Sequence, residues 1–232
     1  MRLDDVTVIR EISLFSTMSD EHFCTLTQRS YLQHFPDHVH LTTEGESADF
    51  LYIVLEGTIE LFSKSNDREA TLFVAKPISA FNLSAVITKT VYLMSSRTLG
   101  ETLILMVPAE NVRKVMNLDF EFAHAMVMEL AKRYRVGIQT YKEQRLRNGV
   151  ERLANYLLRA NDQATKRGQF ELPEDKRTLA ALLGMTPESL SRAFGTLKKY
   201  GVKVQGRNIS LTSPSKLNKL AKPNPLMDSR AV

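Results

Sequence analysis

The sequence predicts an α+β chain, with an N-terminal β jelly roll and a C-terminal winged helix-turn-helix joined by a long helix. Three observations predict it. Short apolar runs broken by turn residues fill 31–107. A helical run with a seven-residue repeat fills 108–147, and two short helical patterns flank a glycine turn within 176–194. The 232 residues give room for about two domains, and 43% hydrophobic with 25% charged residues is the composition of a globular chain.

The first domain takes residues 1–107. From Thr7 to about Ser30 the chain reads as short helices, with Ile9, Ile12, Leu14 and Phe15 as an apolar cluster. Ser19-Asp20-Glu21 offers a helix start before Phe23 and Leu26. Strands are expected at 39–41, 50–55, 58–62, 71–74, 91–94 and 103–107, and Pro36-Asp37 and Ser65-Asn66-Asp67 are the clearest turns. Short strands at this spacing argue for a sandwich or jelly roll.

Residues 108–147 read as one long helix and a hinge, with Pro108 in its first turn. Phe120, Val127, Tyr134 and Tyr141 recur every seven residues, and Met116, Ala123, Leu130 and Gly137 form an interleaved second row. A stripe of this kind on a long helix predicts pairing with a second copy of the chain. Gly137 is its weak point, at about 1 kcal/mol against alanine. Asn148-Gly149 then opens a second domain, 148–213, with a helix at 150–159 and a polar, basic loop at 161–169. The tail, 214–232, is expected to fray after a short helix near 216–220.

Function is concentrated in the run from Lys176 to Phe194. Ala180 is small where two helices must cross, and Gly184 can take the positive φ of the turn. Thr186 is a good N-cap, Pro187 suits the first helical position, and Glu188 complements the helix dipole. Leu190, Ala193, Phe194 and Leu197 share the face to be buried. Glu188, Ser191, Arg192, Gly195 and Lys199 share the opposite one. Arginine suits guanine O6/N7 and glutamate suits cytosine N4 in a major groove. Residues 202–205 and 208–211 around Gly206-Arg207 form a hairpin, the wing.

Charge supports that reading. Residues 147–232 carry 16 Lys/Arg against 7 Asp/Glu, a net +9, and residues 1–146 carry 15 against 19, a net −4. A basic half of this kind points to a polyanion, here double-stranded DNA. Glu188, Ser191 and Arg192 are the candidate base readers, and Lys176, Arg177, Ser189, Lys198, Lys199 and Arg207 the candidate phosphate contacts. The composition excludes a disordered chain, a coiled-coil rod and a collagen-like repeat. No run approaches the roughly 20 apolar residues of a spanning helix, which excludes a helical membrane protein. The start Met1-Arg2-Leu3-Asp4-Asp5 lacks the pattern of a signal peptide, and the one cysteine, Cys24, allows no internal disulfide, so a cytoplasmic location is expected.

Glu44-Gly45, the run Phe50-Leu51-Tyr52-Ile53-Val54-Leu55-Glu56-Gly57, the long helix and Leu-Gly-Met-Thr-Pro-Glu-Ser-Leu-Ser-Arg at 183–192 carry a resemblance. From about Ile9 to Leu211 the chain resembles the cyclic-AMP receptor protein/fumarate-nitrate regulator (CRP/FNR) superfamily of bacterial transcription factors. The resemblance implies a homodimer whose cyclic-nucleotide-binding-like sensor domain reorients the DNA-reading helices. It also implies contact with RNA polymerase, here through the loop 162–169. Glu-x-x-Ser-Arg is similar to the fumarate-nitrate type of reading head, for which Glu188, Ser191 and Arg192 would read TTGA-containing palindromic half-sites. Pro187 replaces an arginine of some members, which argues against the cyclic-AMP receptor's own operator.

The sensor lacks the family's usual effector chemistry. Members that bind cyclic AMP hold its phosphate with Gly-Glu and a later Arg-Ser/Thr. Those places here are Phe81-Asn82-Leu83 and Tyr92-Leu93, and Arg97-Thr98 lies a strand too late. One cysteine excludes a four-thiolate iron–sulfur centre. What remains is an apolar pocket of Phe81, Asn82, Leu83, Tyr92 and Met94, with Leu130 and Tyr134 from the long helix. The stretch 81–99 is similar to the nitric-oxide-responsive branch of the family. A haem there would draw its axial ligand from His22, His34, His38, His40 or His124. A small apolar ligand, haem, or no effector at all stay open. The rival from another class is a cupin-type metal enzyme. His38-Val39-His40-x-x-x-Glu44 has the spacing of three ligands on a jelly roll, but Leu51 stands where a glycine is usual and no histidine follows before His124. No other catalytic constellation is present, so a non-enzymatic role is expected.

Overall fold

In a computed structural model, residues 8–66 and 68–228 are described. The start at 1–5, Thr7 and Asp67 of the expected turn lie outside the described residues, as do 229–232. The chain divides into two compact units, Met1–Arg133 and Tyr134–Val232.

In the first unit residues 8–10 are helical, and after a run of turns comes helix α1 (Asp20–Thr27), whose N-cap Ser19 accepts from the His22 N–H at 3.2 Å. Strands β1 (Tyr31–Phe35), β2 (His40–Thr42), β3 (Phe50–Glu56), β4 (Ile59–Ser65), β5 (Arg68–Ala75) and β6 (Ser79–Phe81) follow. Next come the short helix α2 (Leu83–Thr88), β7 (Ser95–Thr98) and β8 (Thr102–Pro108). They form two four-stranded antiparallel sheets, in the orders β1-β8-β3-β6 and β2-β7-β4-β5. This is the predicted jelly roll. Leu51, Tyr52, Ile53 and Val54 are all buried, as expected of a central strand covered on both faces, and Ile59, Leu61, Ile104 and Leu105 share their core.

Three expectations need correction. The strand expected at 91–94 is absent; Val91 makes one isolated bridge to Ser47, and the strand is the polar Ser95–Thr98. Its hydroxyls explain why apolar periodicity missed it. Ser96 pairs with Thr42 at 2.7 Å and Thr98 donates to the Pro36 carbonyl at 2.7 Å, so polar side chains are buried with partners. The helix expected from Pro108 is two helices, α3 (Ala109–Met116) and α4 (Phe120–Leu146), and Pro108 ends β8. Asp119 makes the break. It accepts from the Phe122 N–H at 2.9 Å, the Ser19 N–H at 3.0 Å and the His22 ring at 2.9 Å, which caps α4 and ties it to α1.

The third correction concerns the tail. In the second unit α4 is followed by α5 (Gly149–Gln163), which opens on a capping box between Asn148 and Glu151. Then come β9 (Gln169–Glu171), α6 (Lys176–Leu182), α7 (Pro187–Leu197), a 3-10 turn, β10 (Val202–Gln205) and β11 (Asn208–Leu211). Helix α5 outruns its expected end at 159, and β9 was not expected; it completes a sheet of order β10-β11-β9. The described residues after 220 do not fray. Helix α8 (Pro214–Ala221) and the turn α9 (Pro225–Asp228) are ordered, with Leu217 and Met227 buried.

Candidate nucleic-acid interface

Helices α6 and α7 are set by local chemistry. Asp175 caps α6 by accepting from the Thr178 N–H at 2.8 Å, and Thr186 caps α7 by accepting from the Ser189 N–H at 3.2 Å with Pro187 in the first turn. Gly184 between them takes φ +59°, and Ala180 is buried at the crossing. Leu190, Ala193, Phe194 and Leu197 are buried against Leu153, Leu157 and Leu179 in one apolar cluster. Together these anchor α7 by one face only.

The other face is open. Glu188, Ser191, Arg192, Gly195 and Lys199 are all exposed. The Glu188 carboxyl is held below its ordinary value by the N–H at the helix start, the Thr186 hydroxyl and the Arg192 charge, so it stays an acceptor. Arg192 Nη2 donates to Ser189 Oγ at 3.1 Å, and Thr186 Oγ1 donates to the same oxygen at 3.1 Å. The guanidinium is thereby held over the first turn of α7. Ser191 faces outward beside it.

Around this face Lys176, Arg177, Lys198 and Lys199 are exposed cations, and Lys199 Nζ sits 5.6 Å from the Tyr200 ring. Ser189 is half-buried and committed to Arg192 and Thr186. Arg207, at the tip of the expected hairpin, is engaged within the fold. Its Nε and Nη2 reach the Leu172 carbonyl at 3.0 and 2.8 Å, Nη2 reaches the Pro173 carbonyl at 2.7 Å, and Glu171 pairs with it. Sequence reasoning missed Arg152. Its Nε reaches the Leu183 carbonyl at 2.8 Å, Nη1 the Arg147 carbonyl at 2.6 Å and Nη2 the Gly184 carbonyl at 3.4 Å. It thus holds the turn before α7 to the end of α4. Spacing gives no sign of it, because all three acceptors are backbone.

Along α4, Phe120, Val127, Tyr134 and Tyr141 are exposed, the last three at 57%, 71% and 60%. The interleaved exposed row is His124, Ala131, Ile138 and Arg145, one residue beyond the row expected. Ala123 and Leu130 are half-buried, and Leu130 packs on the jelly-roll core with Phe122 and Met126. Gly137 is exposed with no neighbour near its Cβ position, so no close helix approach accounts for it among the described residues.

The expected effector pocket is partly core. Phe81, Leu83 and Tyr92 are buried, Met94 packs against them, and Tyr52 stacks on Phe81 at 5.1 Å and meets Tyr92 edge-on at 6.5 Å. Burial pushes both the Tyr52 and Tyr92 phenols up. Tyr134 is 71% exposed. Asn82 has φ +66° and a buried amide nitrogen with no partner among the described residues. Arg97 is bound to Glu60 at 2.7 Å and Glu69 at 2.8 Å, with its guanidinium 4.3 Å from the Phe62 ring centroid. These residues do not fit a cyclic phosphate. Of the histidines named as axial candidates for a haem, His34, His38, His40 and His124 are exposed and His22 is held through Nδ1 by Asp119.

The cupin spacing does not converge. His38 pairs with Asp37, His40 meets Phe62 edge-on, and Glu44 accepts from Ser63 Oγ at 2.6 Å. Among the described residues no three His, Cys, Asp or Glu side chains are grouped to hold a metal ion. Also among the described residues, no helix is long and apolar enough to cross a membrane.

Two family profiles match, a cyclic nucleotide-binding domain over residues 32–119 and a Crp-like helix-turn-helix domain over residues 151–220. The chain is a regulator of the CRP/FNR superfamily. Solved structures of similar fold bear on this CRP/FNR regulator. FixK2 from Bradyrhizobium japonicum is 21% identical with a TM-score of 0.71, over 82% of this chain and 96% of that one. A CooA mutant from Carboxydothermus hydrogenoformans is 21% identical with a TM-score of 0.71, over 84% and 88%. A CRP-family transcriptional regulator from Thermus thermophilus is 20% identical with a TM-score of 0.68, over 86% and 100%. None of the curated proteins matches this CRP/FNR regulator.

Proposed function

We propose that this regulator acts as a homodimer that reads TTGA-containing palindromic half-sites. The observation that carries the reading is α7, which is anchored by one apolar face and offers Glu188, Ser191 and Arg192 unobstructed on the other. Glu188 accepts from cytosine N4, Arg192 pairs with guanine, and Ser191 completes the set. Lys176, Arg177, Lys198 and Lys199 contact phosphates and position the head without specifying sequence. Arg207 contributes less than expected, because its donors are spent on Leu172 and Pro173.

Pairing runs along the exposed stripe of α4, whose spacing of four and three from Phe120 to Tyr141 is that of a coiled-coil seam. The domains of this reading are a sensor at 1–107, the long helix and hinge at 108–147, the DNA-reading domain at 148–213 and the tail at 214–232. The loop 162–169 is the surface offered to RNA polymerase. The effector is a small ligand without a phosphate, placed by the apolar side chains near Phe81 and Tyr92 and by the free amide of Asn82. A regulator that needs no ligand is the second reading, favoured by the filled core around Tyr52, Phe81 and Tyr92.

Titration of labelled TTGA palindrome, scrambled palindrome and isolated half-site, each at two salt concentrations, tests the DNA reading. Preference for the intact palindrome is expected. Equal binding to the scrambled sequence would remove the assigned specificity.

A further inference from the structure

The tail beyond α8 lies outside the residues matched by the helix-turn-helix profile, and its last described residue, Asp228, is a mostly buried carboxylate. Helix α8 closes at Lys222, which takes φ +46°. Asn224 then opens the last turn, its side chain accepting from the Leu226 N–H at 2.9 Å and its own N–H donating to Asp228 Oδ2 at 2.6 Å. Asp228 is thereby aimed at the joint between α4 and α5. Arg147 donates to it with both terminal nitrogens, at 2.7 and 2.6 Å, and Arg159 adds a third bond at 2.9 Å. Glu143 receives the same two arginines at 3.1 and 2.6 Å.

Among the described residues these two cations and two carboxylates bind one another, with Arg147 and Glu143 buried and Arg159 and Asp228 mostly so. Remove the Asp228 carboxylate, and Arg147 and Arg159 lose three of the five bonds they make to Asp228 and Glu143. The cluster also reaches the reading head. The Arg147 carbonyl holds Arg152, whose other nitrogens hold the Leu183 and Gly184 carbonyls just before α7. One set of bonds therefore runs from the tail through the joint to the turn of the helix-turn-helix.

We propose that Asp228 is a positioning residue for DNA reading. It locks the joint at Arg147 and Asn148 and so fixes the angle at which the reading head leaves α4, which sets how strictly a dimer demands its half-site spacing. The proposal rests on the dimeric DNA reading above. A locked joint admits one spacing well, whereas a loose joint pays more ordering entropy but adapts to several.

Hydrogen exchange and DNA binding on the full chain test it together. Asp228→Asn, and a chain ending at Ala221, should exchange the amides of residues 147–152 about ten-fold faster than wild type, and Asp228→Glu should restore protection. Both variants should bind an isolated half-site within about two-fold of wild type. They should lose about five-fold of the discrimination between the cognate palindrome and one lengthened by a base pair. Unchanged exchange in Asp228→Asn would overturn the lock. Faster exchange with undiminished spacing discrimination would overturn its role in reading. If wild type prefers no palindrome, the DNA reading fails and with it the positioning role, while exchange still decides whether the lock exists.

Discussion

On α7 the side chains that read and the side chains that support them are different residues, and the distinction is physical. Ser189, half-buried and shared between Thr186 and Arg192, orients the guanidinium, while Arg192 projects its free edge outward. Arg192→Ala should therefore cost about 1–3 kcal/mol on the TTGA palindrome and relax one base position, as read by competition with single-base variants. Equal affinity and selectivity would remove Arg192 from the reading head. Lys199→Ala should weaken all sequences alike and lower the slope of log K against log salt by about 0.9, the contribution of one phosphate contact. An unchanged slope would take Lys199 off the backbone. Residues of this kind were legible because caps, turn glycine and exposed face follow from short-range rules. Arg152 and the engagement of Arg207 were not, because both depend on carbonyls brought near by the fold rather than on spacing.

The long helix shows what periodicity can and cannot see. The row Phe120, Val127, Tyr134 and Tyr141 was legible as a seven-residue repeat and is exposed throughout. In the second row Leu130 has another reason to be apolar, since it packs on the jelly-roll core, and Ala123 is half-buried, so the exposed residues lie one position further on. The break at 117–119 was illegible, since its cause is the meeting of Asp119 with Ser19 and His22, about a hundred residues away in sequence. If the exposed row is the seam, Tyr134→Glu with Ile138→Glu should shift sedimentation from dimer to monomer without loss of helical circular dichroism, because neither side chain is buried in the chain itself. A persistent dimer would place the pairing elsewhere. Asp119→Ala should cost about 1–2 kcal/mol in urea unfolding through loss of the cap. Burial alone would raise the Asp119 carboxyl, but the N–H groups of Phe122 and Ser19 and the His22 ring hold it below 3.8. That contribution is complete above pH 3.8 and fades as pH falls through the depressed folded value, so the gap between wild type and Asp119→Ala should narrow on acidification.

For the molecule as a whole, charge and sensor chemistry separate along the sequence. The first 146 residues carry net −4, and Arg97, which lies a strand too late for a cyclic phosphate, is bound to Glu60 and Glu69. The remaining residues carry net +9 around a helix whose free face is polar. A cyclic-nucleotide effector would need a buried cation to offset its phosphate, and an apolar ligand would not. The consequence is measurable without DNA. A ligand bound at a hundred times its Kd stabilises the folded chain by about 2.7 kcal/mol. For a chain of this size that is a rise of about 5–10 °C in melting temperature. Cyclic AMP, cyclic GMP and haem should each leave the melting curve within about 1 °C of the free protein, and haem should give no saturable Soret shift. Small neutral compounds that carry one hydrogen-bond acceptor are the class expected to raise it, and Asn82→Leu should abolish that rise while leaving the α7 face and its DNA affinity intact. A cyclic nucleotide that raised the melting temperature by several degrees would mean that a cation outside the Arg97 cluster reaches the Phe81–Tyr92 region, and the sensor assignment would fall.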